Sequence, residues 1–233
     1  MQYNLDKNRV ANYFKQADWY FKSIPELDIL HASKENLSEK EITELSDLKI
    51  EFVNLVASLL ESNQISLATT GKNYDEDRKP IDTIIIHHTG NSTLKALDTE
   101  SYINALELLR LYAPVFKSKN RTNGIWSGHF YKDKMTFIPY HYLVYKDGTY
   151  TNPLNDNQIG WHAGDWDMNT RSIAVTFVDN LENAEPTINA LETAKKIIKK
   201  YKNVKILGHS QVSSTICPGN LFNIEGGWKD KLL

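Results

Sequence analysis

With a single cysteine in 233 residues, the chain cannot close a disulfide within itself. It also lacks any apolar run near the ~18 residues that a membrane-crossing helix needs. The opening Met1-Gln2-Tyr3-Asn4-Leu5-Asp6-Lys7 has no apolar segment of leader type. The expectation is therefore a cytoplasmic product that stays inside unless another route releases it, a secreted mature form being the alternative. An excess of one charge is missing too: 27 Lys and Arg against 29 Asp and Glu leave −2, no basic field for nucleic acid or an anionic membrane. The one local cluster, Lys195, Lys196, Lys199, Lys200 and Lys202, closes a helix, where cations suit the C-terminal dipole. Repeats and low-complexity segments are absent.

What is present is enough apolar material, 41% of the residues, for one substantial core and a small appendage. The first seventy residues read as helical, with Val10, Phe14, Ala17 and Phe21 on one stripe and Ile42, Leu45, Phe52, Val56 and Leu59 on another. Ser38 with Glu41 three residues on makes a capping box for the second helix. The polar, turn-forming run from Thr69 to Pro80 is the natural linker. The division expected is a helical extension over 1–70, a linker over 71–79 and a catalytic domain over 80–233. Beyond the linker, strand and helix alternate: an apolar run Ile81 to Ile86, a helix from about Asp98 to Tyr112 stopped by Pro114, and a hairpin turning on Asp147-Gly148. A buried strand Ile173 to Val178, a helix after Pro186 and a strand Val204 to Leu207 follow. The order predicts an α/β fold of the α+β kind, a central mixed β-sheet flanked by helices. The long segment Val115 to Phe137 is a further place for function, with Trp126 and His129 able to cover a groove.

His87 ends the first apolar strand and His209 follows the last one, so both rings project from rigid strand ends. Cys217 lies eight residues after His209, far enough for the loop to turn back, with Pro218-Gly219 fixing the turn. Two imidazoles and one thiolate would hold Zn²⁺ tetrahedrally with one position open, the signature of catalytic rather than structural zinc. Each residue alone has a duller reading, a hydrogen-bonded strand histidine or a small buried cysteine. Together they predict a metallohydrolase. A zinc nucleobase deaminase would need His-x-Glu and Pro-Cys-x-x-Cys, and the chain has neither.

Four segments carry a resemblance. His87-His88-Thr89, Tyr140-His141-Tyr142-Leu143-Val144 with Lys146-Asp147-Gly148, Gly160-Trp161-His162-Ala163-Gly164 with Asn169 and Ser172-Ile173, and Gly208-His209 through Cys217-Pro218-Gly219 resemble the signature of type 2 N-acetylmuramoyl-L-alanine amidases. That family shares its fold with peptidoglycan recognition proteins and phage amidase lysozymes. The resemblance covers roughly residues 80 to 230. It implies zinc on His87, His209 and Cys217, a peptidoglycan or muropeptide substrate, and cleavage between the lactyl group of N-acetylmuramic acid and L-alanine. A phage endolysin, a wall-degrading or a recycling enzyme would each fit.

Position by position, Tyr140 matches the tyrosine that assists the metal-bound water, and Thr215 falls where the family has lysine or threonine. Where some branches carry a catalytic glutamate this chain has Thr176, which implies the branch that relies on tyrosine. A phenol titrates near 10, so Tyr140 is expected to orient and hydrogen-bond before it abstracts a proton. Trp161 and His162 are expected in one wall of the groove. Asn169 is expected either to pin that loop or to touch substrate. His88 points away from His87 in a regular strand, which favours a supporting place, with substrate contact kept open. The alternative is a peptidoglycan-binding module of the same fold without hydrolysis. Such proteins commonly lack the ligand cysteine, so Cys217 favours the enzyme.

Overall fold

The computed structural model describes residues 3–22, 24–90, 98–119 and 123–233. These form two compact units: one holds the described residues of Met1–Lys72 and Leu94–Gly128, the other those of Asn73–Thr93 and His129–Leu233.

The first unit is helical. Helices α1 (Lys7–Phe14), α2 (Asp28–His31) and α3 (Glu39–Glu61) come from the N-terminal region. Ser38 and Glu41 make the reciprocal capping box, and Asp6 accepts from the Arg9 N–H to start α1. The first helix is shorter than its apolar stripe predicts. It stops at Phe14, leaves Ala17 exposed and gives way to a 3₁₀ turn, Trp19–Phe21. Trp19 is fully buried there, its ring 4.4 Å from Phe14 and its indole N–H on the Ser66 carbonyl at 3.0 Å. That bond satisfies the indole's one donor, without which burying tryptophan would be costly.

Helix α4 (Thr99–Glu107) starts on Asp98, whose carboxylate accepts from the N–H groups of Glu100 and Ser101. It does not end before Pro114. A π-helical turn, Leu108–Tyr112, carries the chain into α5 (Ala113–Ser118), with Pro114 in the first turn of α5. Proline in a regular helix removes an N–H and collides with the carbonyl four residues back. The wider turn before it changes that spacing, and the helix passes through. Residues 98–118, expected in the catalytic domain, thus belong with the helical unit.

The second unit is built on a five-stranded sheet in the order β5-β4-β6-β1-β7. The strands are β1 (Thr83–His88), β4 (Tyr142–Val144), β5 (Tyr150–Thr151), β6 (Ser172–Phe177) and β7 (Lys205–Gly208); β2 (Phe130–Tyr131) and β3 (Lys134–Met135) form a separate hairpin. β1 pairs in parallel with β6 and β7, β4 in parallel with β6, and β5 antiparallel to β4, so the sheet is mixed as predicted. All six residues of β6 are buried, as a parallel strand covered on both faces should be. Helix α6 (Trp166–Arg171) leads into β6, and α7 (Ile188–Ile198) into β7. The core gathers Ile84, Ile86, Ile173, Val175, Phe177, Phe222 and Trp228. Burying each such side chain contributes about 1.5–3 kcal/mol. No helix among the described residues is long and apolar enough to cross a membrane.

Candidate metal centre

The register His87↔Thr176 sets the end of β1 beside β6, while β7 delivers His209 just after its last residue. Cys217 returns on the loop that follows. Ser210 N–H on the Cys217 carbonyl (2.6 Å) and Cys217 N–H on Thr215 Oγ1 (3.2 Å) close that loop. Gly219 makes the return possible: at φ +127° it passes so close to Leu181 that a Cβ would sit 1.9 Å from that carbonyl oxygen.

His87, His209 and Cys217 each offer one ligand atom, and these atoms lie within 4.8 Å of one another. Cys217 Sγ is 3.8 Å from His87 Nδ1, and the rings of His87 and His209 are 4.5 Å apart. Sγ also accepts the N–H of His88 at 3.3 Å. The His209 ring is hydrogen-bonded to the backbone of Ala163, and its Nε2 is buried with no partner. An orphaned buried nitrogen is rare because it forfeits a hydrogen bond. Beside a thiol and a second imidazole, a metal ion is the partner that would satisfy it.

The electrostatics suit metal ligands. Burial holds His87 well below the usual imidazole range, reinforced by His162, His209 and His88, and burial lowers His209 as well. Both rings therefore keep a lone pair at neutral pH. Burial pushes the Cys217 thiol up to about 11, offset in part by the His88 N–H. A cation would have to draw that proton off, as zinc does with coordinating thiols.

Around this cluster the predicted residues have different employments. Tyr140 is half-buried with its ring 5.4 Å from that of His87. Thr215 is exposed and accepts the Cys217 N–H. Trp161 is half-buried and packs edge-to-face with Tyr74 and Trp166 at 5.4 and 6.3 Å. Three side chains expected at the substrate spend polar atoms within the protein. His88 Nδ1 accepts from Leu181 N at 2.8 Å, on the far side of β1 from His87. Asn169 Oδ1 accepts from the N–H groups of His162 and Ala163 at 3.1 and 2.8 Å, so it pins the loop. His162 lies under the loop: its Nδ1 is 3.0 Å from His87 Nε2, and Ser172 Oγ is 3.3 Å from its Nε2. The loop can lie that deep because Gly160 has no Cβ, which would stand 2.0 Å from the Pro139 carbonyl oxygen.

Sequence reasoning passed over Ser172 as a contact of His162 and missed Arg78. The Arg78 guanidinium donates to the carbonyls of Asp156, Asn169 and Ser172 at 2.9–3.1 Å and so ties both ends of the loop. A lone arginine in a turn-rich run carries no signal of that. Thr176, fully buried in register with His87, has a hydroxyl without a partner and no carboxylate to offer. His129, with Trp126 a candidate groove cover, is buried and bonded to Asp75 at 3.0 Å; Trp126 belongs to the helical unit. Residues 120–122 of the same segment lie outside the described residues.

Fold and site together define a mixed α/β domain whose sheet edge carries a His, His, Cys cluster able to hold one metal ion. Residues 77–220 match the model of the family described as N-acetylmuramoyl-L-alanine amidase. The chain belongs to that family. Among curated relatives, peptidoglycan-recognition protein SD of Drosophila simulans is 34% identical over 95 residues, 38% of this chain and 50% of that protein. Peptidoglycan recognition protein 4 of Mus musculus is 33% identical over 99 residues, 39% of this chain and 26% of that protein. The chain thus spans about half the length, or less, of these relatives. Among solved structures, the amidase LysC from Clostridium intestinale covers 70% of this chain and 91% of its own, at 20% identity and a TM-score of 0.45. Wild-type Drosophila PGRP-LB covers 66% and 81%, at 21% identity and 0.44.

Proposed function

We propose that the chain hydrolyses the amide bond between N-acetylmuramic acid and L-alanine in peptidoglycan or muropeptides, with zinc held by His87, His209 and Cys217. The observations that carry this reading are the convergence of one ligand atom each from His87, His209 and Cys217 within 4.8 Å and the buried, unpartnered Nε2 of His209. Zinc bound by this donor set would supply Lewis-acid activation of water and of the amide carbonyl. The remaining work falls to the chain. Tyr140, whose ring stands 5.4 Å from that of His87, is the donor assigned to the charge developing on the carbonyl oxygen. The exposed Thr215 hydroxyl, anchored through the Cys217 N–H, presents a second polar group on the loop. Trp161 offers an apolar surface for the stem peptide or sugar. With His88, His162 and Asn169 occupied inside, substrate is read by Tyr140, Thr215 and Trp161.

The test is metal analysis of the purified chain with digestion of bacterial sacculi followed by mass spectrometry. Stoichiometric zinc and new L-alanine amino ends are expected, both abolished by a chelator and restored by zinc. Sacculi bound but left uncut by a zinc-loaded chain would sink this reading in favour of a recognition module, the kind of protein named among the relatives.

A further inference from the structure

His162 sits in a sequence segment that predicts a groove wall, yet it is 5% exposed and lies behind a ligand. Its contacts form a directed series whose first member has no freedom. Ser172 Oγ is 2.6 Å from the Met168 carbonyl oxygen, which can only accept, so the single hydroxyl proton goes there. Toward His162 Nε2, 3.3 Å away, Ser172 Oγ is left as an acceptor, and that nitrogen carries the proton. In a neutral ring Nδ1 of His162 is then a lone pair. The atom facing it at 3.0 Å, His87 Nε2, must donate. The remaining nitrogen of His87, Nδ1, is left bare, and it is the one 3.8 Å from Cys217 Sγ.

We propose that His162, held by Ser172, is a positioning residue that fixes His87 in the Nε2–H tautomer and so presents the Nδ1 lone pair to the metal; this rests on reading the cluster as a metal site. The reverse order would place the His87 proton on Nδ1, where it would block coordination. The series is held stiffly. Asn169 Oδ1 fixes the His162 backbone, Arg78 holds the Ser172 carbonyl at 3.0 Å, and Ser172 is fully buried. A partner on the non-ligating nitrogen sets both the tautomer and the ring orientation of a metal-bound histidine.

The test reads imidazole tautomers by long-range ¹H–¹⁵N correlation in the zinc-free full chain, and zinc affinity by competition with a chelator. Wild type is expected to carry the proton on Nε2 in both His87 and His162. His162→Asn places Oδ1 where Nδ1 stood and should keep the His87 tautomer, with affinity within about threefold. His162→Leu should lose about 10–100-fold in zinc affinity at unchanged circular dichroism, the range for removal of an outer partner. Should that variant fail to fold, Ser172→Ala decides, because it frees His162 to move its proton to Nδ1 and must weaken zinc binding. A wild-type chain that binds zinc but holds the His87 proton on Nδ1 overturns this proposal alone, as does unchanged affinity in both His162→Leu and Ser172→Ala. Failure of the wild-type chain to take up zinc overturns the proposed function along with it.

Discussion

Replacing Glu107 by Gln should make the helical unit more stable at neutral and alkaline pH. Glu107 ends α4 with 7% of its surface exposed, and burial pushes its carboxyl from 4.5 up to about 7, the charge of exposed Arg110 offsetting only part of the effect. Its folded pKa lies above the unfolded one, so the native state binds the proton more tightly. The favourable term is complete below about pH 4.5 and is lost as pH rises through about 7. A difference of about 2.5 units is about 3 kcal/mol at 1.36 kcal/mol per unit, an order-of-magnitude figure. Glutamine keeps the shape and removes the charge. Wild type and variant should agree within about 1 kcal/mol at pH 4, and at pH 8 the variant should lead by about 3 kcal/mol. Urea unfolding at pH 4, 6 and 8 gives the curve, and hydrogen exchange of the α4 amides assigns the change to the unit that carries it. An equal gap at all three values, or a variant weaker at pH 8, would refute the burial argument.

The site and its supports yield further expectations. Cys217→Ser should lower zinc affinity by more than about a hundredfold, beyond what outer partners of a metal ligand are worth, in the same chelator competition. Asn169→Ala leaves the buried N–H groups of His162 and Ala163 without an acceptor, at about 1–3 kcal/mol each. Thermal melting should drop, those two amides should exchange faster, and slow exchange at both would rule out the pinning role. His141 should make the sheet unit acid-sensitive. Burial, with Arg78 adding to it, lowers the ring to about 3, and its Nδ1 takes the Ala174 N–H. Its folded pKa lies below the unfolded 6.5, so its stabilisation is present above pH 6.5 and fades toward pH 3. That is about 5 kcal/mol in all, and stability unchanged between pH 7 and pH 4 would contradict it.

The convergence of His87, His209 and Cys217 was legible because a histidine at the end of an apolar strand is held in place by that strand, and a Pro-Gly turn after Cys217 limits where the sulfur can lie. The mixed sheet was legible for a related reason: Ile84 to Ile86 and Ile173 to Phe177 are runs that suit strands buried on both faces, whereas β7, with Lys205 exposed, closes the sheet as an edge strand. Loop residues were another matter. Nothing in the spacing of Trp161, His162 and Asn169 says which turns outward, and the answer depends on Gly160 packing against Pro139 and on Arg78, distant in sequence. Pro114 misled because local rules end a helix there, while the π turn is an adjustment made across several residues. The grouping of α4 and α5 with the N-terminal helices depends on contacts between distant segments, which amphipathic periodicity does not encode.

The strands β6, β1 and β7 run the same way, and the His87, His209 and Cys217 cluster gathers where β1 and β7 finish, while Arg78 and the Arg171–Asp82 ion pair brace the beginnings of β6 and β1. The two rims of the sheet are therefore separable as engineering targets. Diversity introduced into the exposed positions Ser214 and Ile216 would reshape the rim beside the cluster while keeping the Thr215 bond that closes its loop, whereas redesign at the opposite rim would change how long the molecule survives.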